Sequence, residues 1–302
     1  MKESFRITKA SASLFDRVLK KLNLWFLKRQ ASRLRALRGK PFAVFADDWI
    51  GANVFVHGVY EKGAIDLMIS VLQELDISLK TALAIDVGAN IGNHTVQYSQ
   101  YFESVYAYEP NPRAFDLLRH NTHNIDNVIA ENVAVGEDQG TLELFENASN
   151  YGNTSTSPKL KDDRGILVSV STLDMLIPES LNVALVKIDV EGMEHSVLLG
   201  AQEMLARRLP IVCFEQHPAE FDTQCAETES IQLLRSMDYE IFAPTSNQSK
   251  AKLLSWAKKA FDLLVSKHEH STIVRTGFVP KAHYPMLIAI PKSKLSVRDT
   301  MQ

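Results

Sequence analysis

The chain has only two cysteines in 302 residues, Cys213 and Cys225. Two cysteines cannot build a disulfide framework, so a reducing compartment is expected. Glycine (13) and proline (11) are modest, which excludes collagen-like and low-complexity chains. No stretch approaches the ~18 uninterrupted apolar residues that a membrane-spanning helix needs. Lys20, Lys21 and Lys28 break every early apolar run, so no signal-peptide core is expected. What is present, 45% hydrophobic and 23% charged residues, is the composition of an ordinary globular protein of enzyme size, expected in the cytoplasm.

The net charge of −3 conceals an asymmetry. Residues 1–40 carry twelve basic and two acidic side chains, while residues 41–302 carry 21 basic and 34 acidic ones. The arm is therefore strongly basic and the body acidic. Within the arm, Leu14, Val18, Leu22 and Trp25 recur at steps of three and four, flanked by Phe15, Leu19 and Phe26. That spacing predicts one amphipathic helix from Ser13 to about Arg38, stopped by Gly39 and Pro41. Its apolar stripe has three possible covers: the enzyme body, a second copy in a homo-oligomer, or an anionic membrane surface at the inner face.

From residue 41 onward a single domain is expected. A β-rich stretch is read over Val44–Val59, then a helix at Ile65–Leu75. From Thr81 short apolar runs at 82–87, 105–108, 128–130, 183–188 and 211–214 alternate with helical spacing at 93–102, 113–121, 194–207 and 227–237. Continuous apolar strands separated by amphipathic helices indicate an α/β fold with a doubly wound, mostly parallel sheet. Thr141–Phe145 alternates like a half-exposed strand, followed by a polar loop at 147–158. An insertion at 245–271 separates strands at 239–242 and 286–290, and no internal repeat is present.

The strongest local signal is the run from Ile85 to Asn93, IDVGANIGN, where a strand gives way to a helix. Glycines there permit a tight turn and close approach of a ligand to the backbone. Glu109 closes the next strand, where a carboxylate can accept both ribose hydroxyls of a nucleoside. A dinucleotide fingerprint would put glycine where Asn90 stands and would not set Asp86 beside a pyrophosphate. A carboxylate repels a phosphate but attracts an ammonium, which favours S-adenosyl-L-methionine (SAM) over NAD.

The runs IDVGANIG, YAYEPNP, ENVAVGEDQG, STLDML, VKIDVEGMEHSVLLGA and PIVCFEQHP, in that order, resemble the FkbM-type SAM-dependent methyltransferases. The resemblance covers about residues 45–220, and VKIDVEGMEH is its most specific part. It implies a Rossmann-like class I methyltransferase fold with a seven-stranded sheet, SAM as cofactor, and methyl transfer to a hydroxyl, many acceptors being sugars or polyketides. It further implies that Asp86, Gly88, Asn90 and Gly92 line the methionine end of SAM, that Glu109 holds the ribose, and that Asn132 and Val133 border the adenine.

Alcohol methylation is an in-line displacement in which the protein aligns the partners and manages the hydroxyl proton. A base must therefore stand over the carboxyl ends of the strands. Two clusters qualify: Lys187, Asp189, Glu191, Glu194 and His195 around one strand end, and Glu215 with His217 at the next. Asp189, Glu191 and His217 are the catalytic candidates. Lys187 paired with Asp189 would depress that carboxylate's pKa. No metal is assigned, although Asp189, Glu191, Glu215 and His217 could offer ligands to Mg²⁺. The 147–158 loop is either a solvent loop or a lid whose Asn150, Tyr151 and Asn153 suit a polyol. The expected substrate is a hydroxyl of a sugar or glycolipid precursor. The acidic body argues against nucleic acid. An NAD-dependent sugar-modifying enzyme and a catalytically silent scaffold are the alternatives.

Overall fold

The computed structural model describes residues 13–38, 41–46, 48–147, 150–155, 164–220, 227–245 and 272–299, with only the backbone described within 146–155. The chain divides into two compact units, 1–60 and 61–302.

In the first unit the expected amphipathic helix is present as α1, Leu14–Arg38. Its stripe is exposed, from 44% at Leu19 to 73% at Leu14 and Phe15. Arg29 lies over the Trp25 ring at 5.5 Å. The stretch read as β-rich is instead helical: α2 runs Trp49–His57. Ile50 and Val54 are one helical turn apart, and Gly58 closes the turn by donating its N–H to Val54 O at 2.8 Å. Two contacts explain why 41–60 groups with the arm. Gln30 Nε2 donates to Val56 O at 3.2 Å, and Arg38 donates to Gly58 O while its guanidinium covers the Phe42 ring at 3.9 Å. No helix among the described residues is long and apolar enough to cross a membrane.

The second unit opens with α3 (Lys62–Glu74) and then alternates strand and helix. The strands are β1 (Leu83–Val87), β2 (Ser104–Tyr108), β3 (Val128–Glu131), β4 (Ala134–Val135), β5 (Gly140–Asn147), β6 (Asn150–Ser155), β7 (Arg164–Ser171), β8 (Val183–Ile188), β9 (Ile211–Gln216), β10 (Tyr239–Thr245), β11 (Thr272–Arg275) and β12 (Tyr284–Pro291). Between them lie α4 (Asn93–Tyr98), α5 (Pro112–Thr122), α6 (Leu173–Leu176), α7 (Glu194–Leu199), α8 (Gln202–Arg208), α9 (Glu229–Ser236) and, last, α10 (Lys292–Asp299). Helix starts follow local chemistry. Asn111 caps α5 by accepting from Arg113 N–H, with Pro112 at the first position, and Thr228 caps α9 by accepting from Ile231 N–H.

The main sheet has eight strands in the order β11-β10-β12-β9-β8-β1-β2-β3. The five from β3 to β9 are parallel, while β12, β10 and β11 run antiparallel to their neighbours. Seven of these make the expected sheet. The eighth, β11, pairs along the edge of β10 after the 245–271 insertion, of which 246–271 fall outside the described residues. The apolar runs fill both faces, with Ile85, Val87, Val186, Ile188, Phe214 and Leu287 in one core cluster.

Two further departures concern the middle of the chain. The 147–158 segment is not simply a loop, because β6 pairs antiparallel with β5 in a second sheet, ordered β4-β7-β5-β6. Its polar residues concealed a strand that needs only a partner's backbone. The side chains of Asn150, Tyr151 and Asn153 lie outside the described residues. The helix expected over 194–207 is split into α7 and α8 at Gly200. A Cβ there would stand 2.0 Å from the Gly136 carbonyl oxygen, so close approach of that loop selects glycine at the break.

Candidate active site

Strand order reverses at β1, where β2 and β3 extend one way and β8 and β9 the other. In an open α/β sheet this switch point leaves a crevice outside the carboxyl ends of the strands. The ends of β1, β2, β8 and β9 carry Asp86, Glu109, Asp189 and Glu215, so four sequence candidates meet at one rim.

Asp86 is fully buried and accepts from Thr95 Oγ1 at 2.6 Å. Lys187, 6% exposed, places Nζ 3.1 Å from Asp86 Oδ1 and 3.3 Å from Asp189 Oδ2, and donates to Gly88 O at 3.0 Å. Burial opposes the ammonium charge, but the Asp86 and Asp189 carboxylates outweigh it and hold the Lys187 pKa above its ordinary value. Burial likewise opposes the Asp189 charge, and here Lys187 prevails, holding that carboxyl below its usual range as the sequence implied. His94 lies close by, where burial and the Lys187 charge pull it down to about 4, so its imidazole is neutral.

Gly88 takes φ +72, and a Cβ there would fall 1.8 Å from the Asp189 carbonyl oxygen. Glycine is required because the β1 and β8 ends pack backbone to backbone, with Asp189 N–H donating to Val87 O at 3.1 Å. Asn90 takes φ +50, and Gly92 precedes α4 at φ +86. The loop is gripped from behind by Glu109, whose carboxylate accepts from Asn90 N–H at 2.7 Å and Asn111 N–H at 2.9 Å. Burial raises the Glu109 pKa to about 7 despite those two bonds.

Asn132 and Val133 follow β3 at the same carboxyl rim. The Asn132 amide donates to Glu109 O and Pro110 O, bracing the end of β2. Val133 is half-buried against the main core.

Glu191 stands exposed on the turn after β8 at φ +54. Glu194, fully buried behind it, accepts from Val190 N–H at 3.2 Å and Gly192 N–H at 3.4 Å and so shapes that turn. Burial raises its pKa to about 7.

On β9, Glu215 neighbours Asp189 of the adjacent strand end and lies 3.3 Å from His217 Nε2. Burial and the neighbouring Asp189 raise the Glu215 pKa. His283 Nε2 reaches the same Glu215 oxygen at 2.8 Å, and its ring stacks on His217 with centroids 4.9 Å apart. Sequence reasoning missed His283, which lies 66 positions from His217 in KAHYP, without a motif of its own. It belongs here because β12 is antiparallel, so its start lies at the rim where the parallel strands end.

These residues suit SAM. Asp86, Glu109 and Asp189 surround the loop, while Lys187 is already held between two carboxylates. A pyrophosphate would meet an acidic rim, whereas an ammonium and a sulfonium are matched by it. The Glu109 carboxylate has about four acceptor positions, of which two are taken, leaving room for two ribose hydroxyls.

Fold and site together define a class I, SAM-binding methyltransferase domain. The methyltransferase FkbM domain family matches residues 86–241, so the chain belongs to that family, whose cofactor is SAM. It is 27% identical to Methyltransferase 1 of Beauveria bassiana (strain ARSEF 2860) over 187 residues, 54% of this chain and 73% of that protein. Among solved structures it is similar to methyltransferase FkbM from Methylobacillus flagellatus KT, at 18% identity and TM-score 0.37, covering 70% of this chain. The chain spans 54% of the length of that structure. A SAM-dependent O-methyltransferase from Thermotoga maritima aligns at 11% identity and TM-score 0.38, over 77% of this chain and 66% of that one.

Proposed function

We propose that the protein transfers a methyl group from SAM to a hydroxyl of a sugar in a polysaccharide or glycolipid precursor. When bound, SAM supplies an activated methyl on a sulfonium, a leaving group that needs no protonation. What remains for the protein is to hold the acceptor in line and remove its proton. The observation that carries the reading is the position of Asp189. It is tied to Lys187 and through it to Asp86 on the cofactor side, and neighbours Glu215 of the adjacent strand end on the other. Held below the usual carboxylate range, Asp189 is ionised and ready to accept the hydroxyl proton. Glu191, two residues on and exposed, and His217, 3.3 Å from Glu215 at the end of β9, offer further polar contacts to a polyol. The acidic rim favours such an uncharged, hydroxyl-rich acceptor over nucleic acid.

A lipid-linked acceptor accords with α1. Its apolar stripe is exposed, and Arg17, Lys20, Lys21, Lys28 and Arg35 occupy the opposite arc. Basic residues near anionic lipid contribute ~1 kcal/mol each, and aromatic residues such as Trp25 favour the headgroup level. The reading therefore places the protein at the cytoplasmic face of a membrane, held peripherally.

The test is mass spectrometry of glycans from a strain lacking the protein. One lost methyl group, restored by the wild-type chain but not by Asp189→Asn, supports the reading. An unchanged glycan profile overturns it.

A further inference from the structure

We propose that Glu215, His217 and His283 form a binding site for a divalent transition-metal ion at the carboxyl rim of the main sheet. The three donor atoms lie within 4.8 Å of one another. Glu215 Oε1 is 3.3 Å from His217 Nε2 and 2.8 Å from His283 Nε2. Bonds of about 2.0–2.2 Å to imidazole and carboxylate put neighbouring ligand atoms roughly 3.0–3.5 Å apart in octahedral or tetrahedral geometry. The two spacings from Glu215 lie within tenths of an ångström of that range, and the two imidazoles, with donor atoms inside 4.8 Å, would turn out of their stack to share the ion.

The backbone builds this arrangement. Glu215 and His217 are two apart at the end of β9 and so share one face of the sheet. The pairing of Tyr284 with Gln216 in the antiparallel β12–β9 ladder sets His283 beside His217, which gives the 15° stacking of the two rings. The His217 backbone N–H donates to Glu220 Oε1 at 2.7 Å, which fixes the chain just past the end of β9. The side chains remain accessible, at 19% for Glu215, 35% for His217 and 50% for His283, so an ion can enter and keep open positions. Two imidazoles with one carboxylate select Zn²⁺, Co²⁺, Mn²⁺ or Fe²⁺ over Mg²⁺ and Ca²⁺, which prefer oxygen.

The use of such an ion rests on the proposed methyl transfer. An acceptor hydroxyl bound at an open position would be acidified next to Asp189, which would take its proton.

The test is titration of the metal-stripped, full-length protein with Co²⁺, read by visible absorption, and with Zn²⁺, read by calorimetry. One ion per chain is expected, with His283→Ala and Glu215→Gln each weakening binding at least ~10-fold. His120→Ala, exposed in the last turn of α5 and outside the cluster, should leave it unchanged. Circular dichroism and SAM affinity verify that the variants fold. No saturable binding below about 1 mM, equal binding in all variants, or Mg²⁺ binding as tight as Zn²⁺ would overturn the site. The titration contains neither SAM nor acceptor. A loaded site in a protein that methylates nothing would refute the transfer reaction alone, and an active protein without metal binding would refute the site alone.

Discussion

Asp86 and Lys187 face each other across the β1–β8 ladder, with Nζ 3.1 Å from Oδ1 and both side chains almost wholly buried. The same ammonium reaches Asp189 at 3.3 Å, so a single cation fastens the two strand ends that flank the cofactor crevice. Removing one member of a buried ion pair leaves an uncompensated charge and costs ~3–5 kcal/mol. Lys187→Met is therefore expected to lower the urea midpoint sharply. The double variant Lys187→Met/Asp86→Asn should recover part of that loss, because the fully buried Asp86 charge goes with its partner, while the charge left on Asp189 is 41% exposed to solvent.

Gly88 is expected to fail as alanine as well as valine. The added Cβ would meet the Asp189 carbonyl at 1.8 Å, a backbone atom that cannot swing away. Gly88→Ala should lose SAM affinity in calorimetry and melt earlier, whereas Gly192→Ala, with nothing within 4 Å, should show only the strain of its positive φ.

Glu109 is expected to give the cofactor affinity a pH dependence. Burial raises its pKa to about 7, and in the proposed ribose-holding role only its ionised form would accept from both hydroxyls. SAM affinity should rise between pH 6 and pH 8, roughly, with Glu109→Gln binding ~10–100-fold more weakly and without that slope.

The same group acts on stability with the opposite sense. Glu109 and Glu194 both have pKa values raised to about 7 by burial. Their protonated forms favour the fold, so this contribution is full below the ordinary carboxylate range of 4.5 and is lost as pH rises through about 7. The SAM-free protein should unfold at lower urea at pH 7.5 than at about pH 5, and Glu194→Gln should flatten part of that fall.

On the acceptor side, Glu191→Gln or His217→Ala should cut turnover at least ~10-fold while SAM affinity stays within about threefold. Full turnover in both variants would remove these residues from the chemistry. For α1, the whole chain should float with anionic vesicles at low salt, and the triple variant Leu22→Glu/Trp25→Glu/Phe26→Glu should stay in the soluble fraction. A variant that instead changes the oligomeric mass would assign the stripe to a partner subunit.

Much of this protein is written locally. The glycine loop, the strand-end carboxylates Asp86, Glu109 and Asp189, and the amphipathic period of α1 depend on residues within a turn or a strand of one another. Short-range chemistry of that kind can be read along the chain. A shared parallel sheet for β1, β2, β3, β8 and β9 follows from the alternation of apolar runs and helices, whereas their order, reversing at β1, came with the tertiary structure. Tertiary structure decided what depends on long-range pairing. The stretch at 49–57 is a helix, although its apolar residues also fit a strand, and β6 formed from polar residues because β5 offered a backbone partner. Asn132 turned its amide to the end of β2, an acceptor pair 22 and 23 positions away. His283 joined Glu215 and His217 only because β12 enters antiparallel, and no local pattern specifies the direction of a strand that arrives after a long insertion.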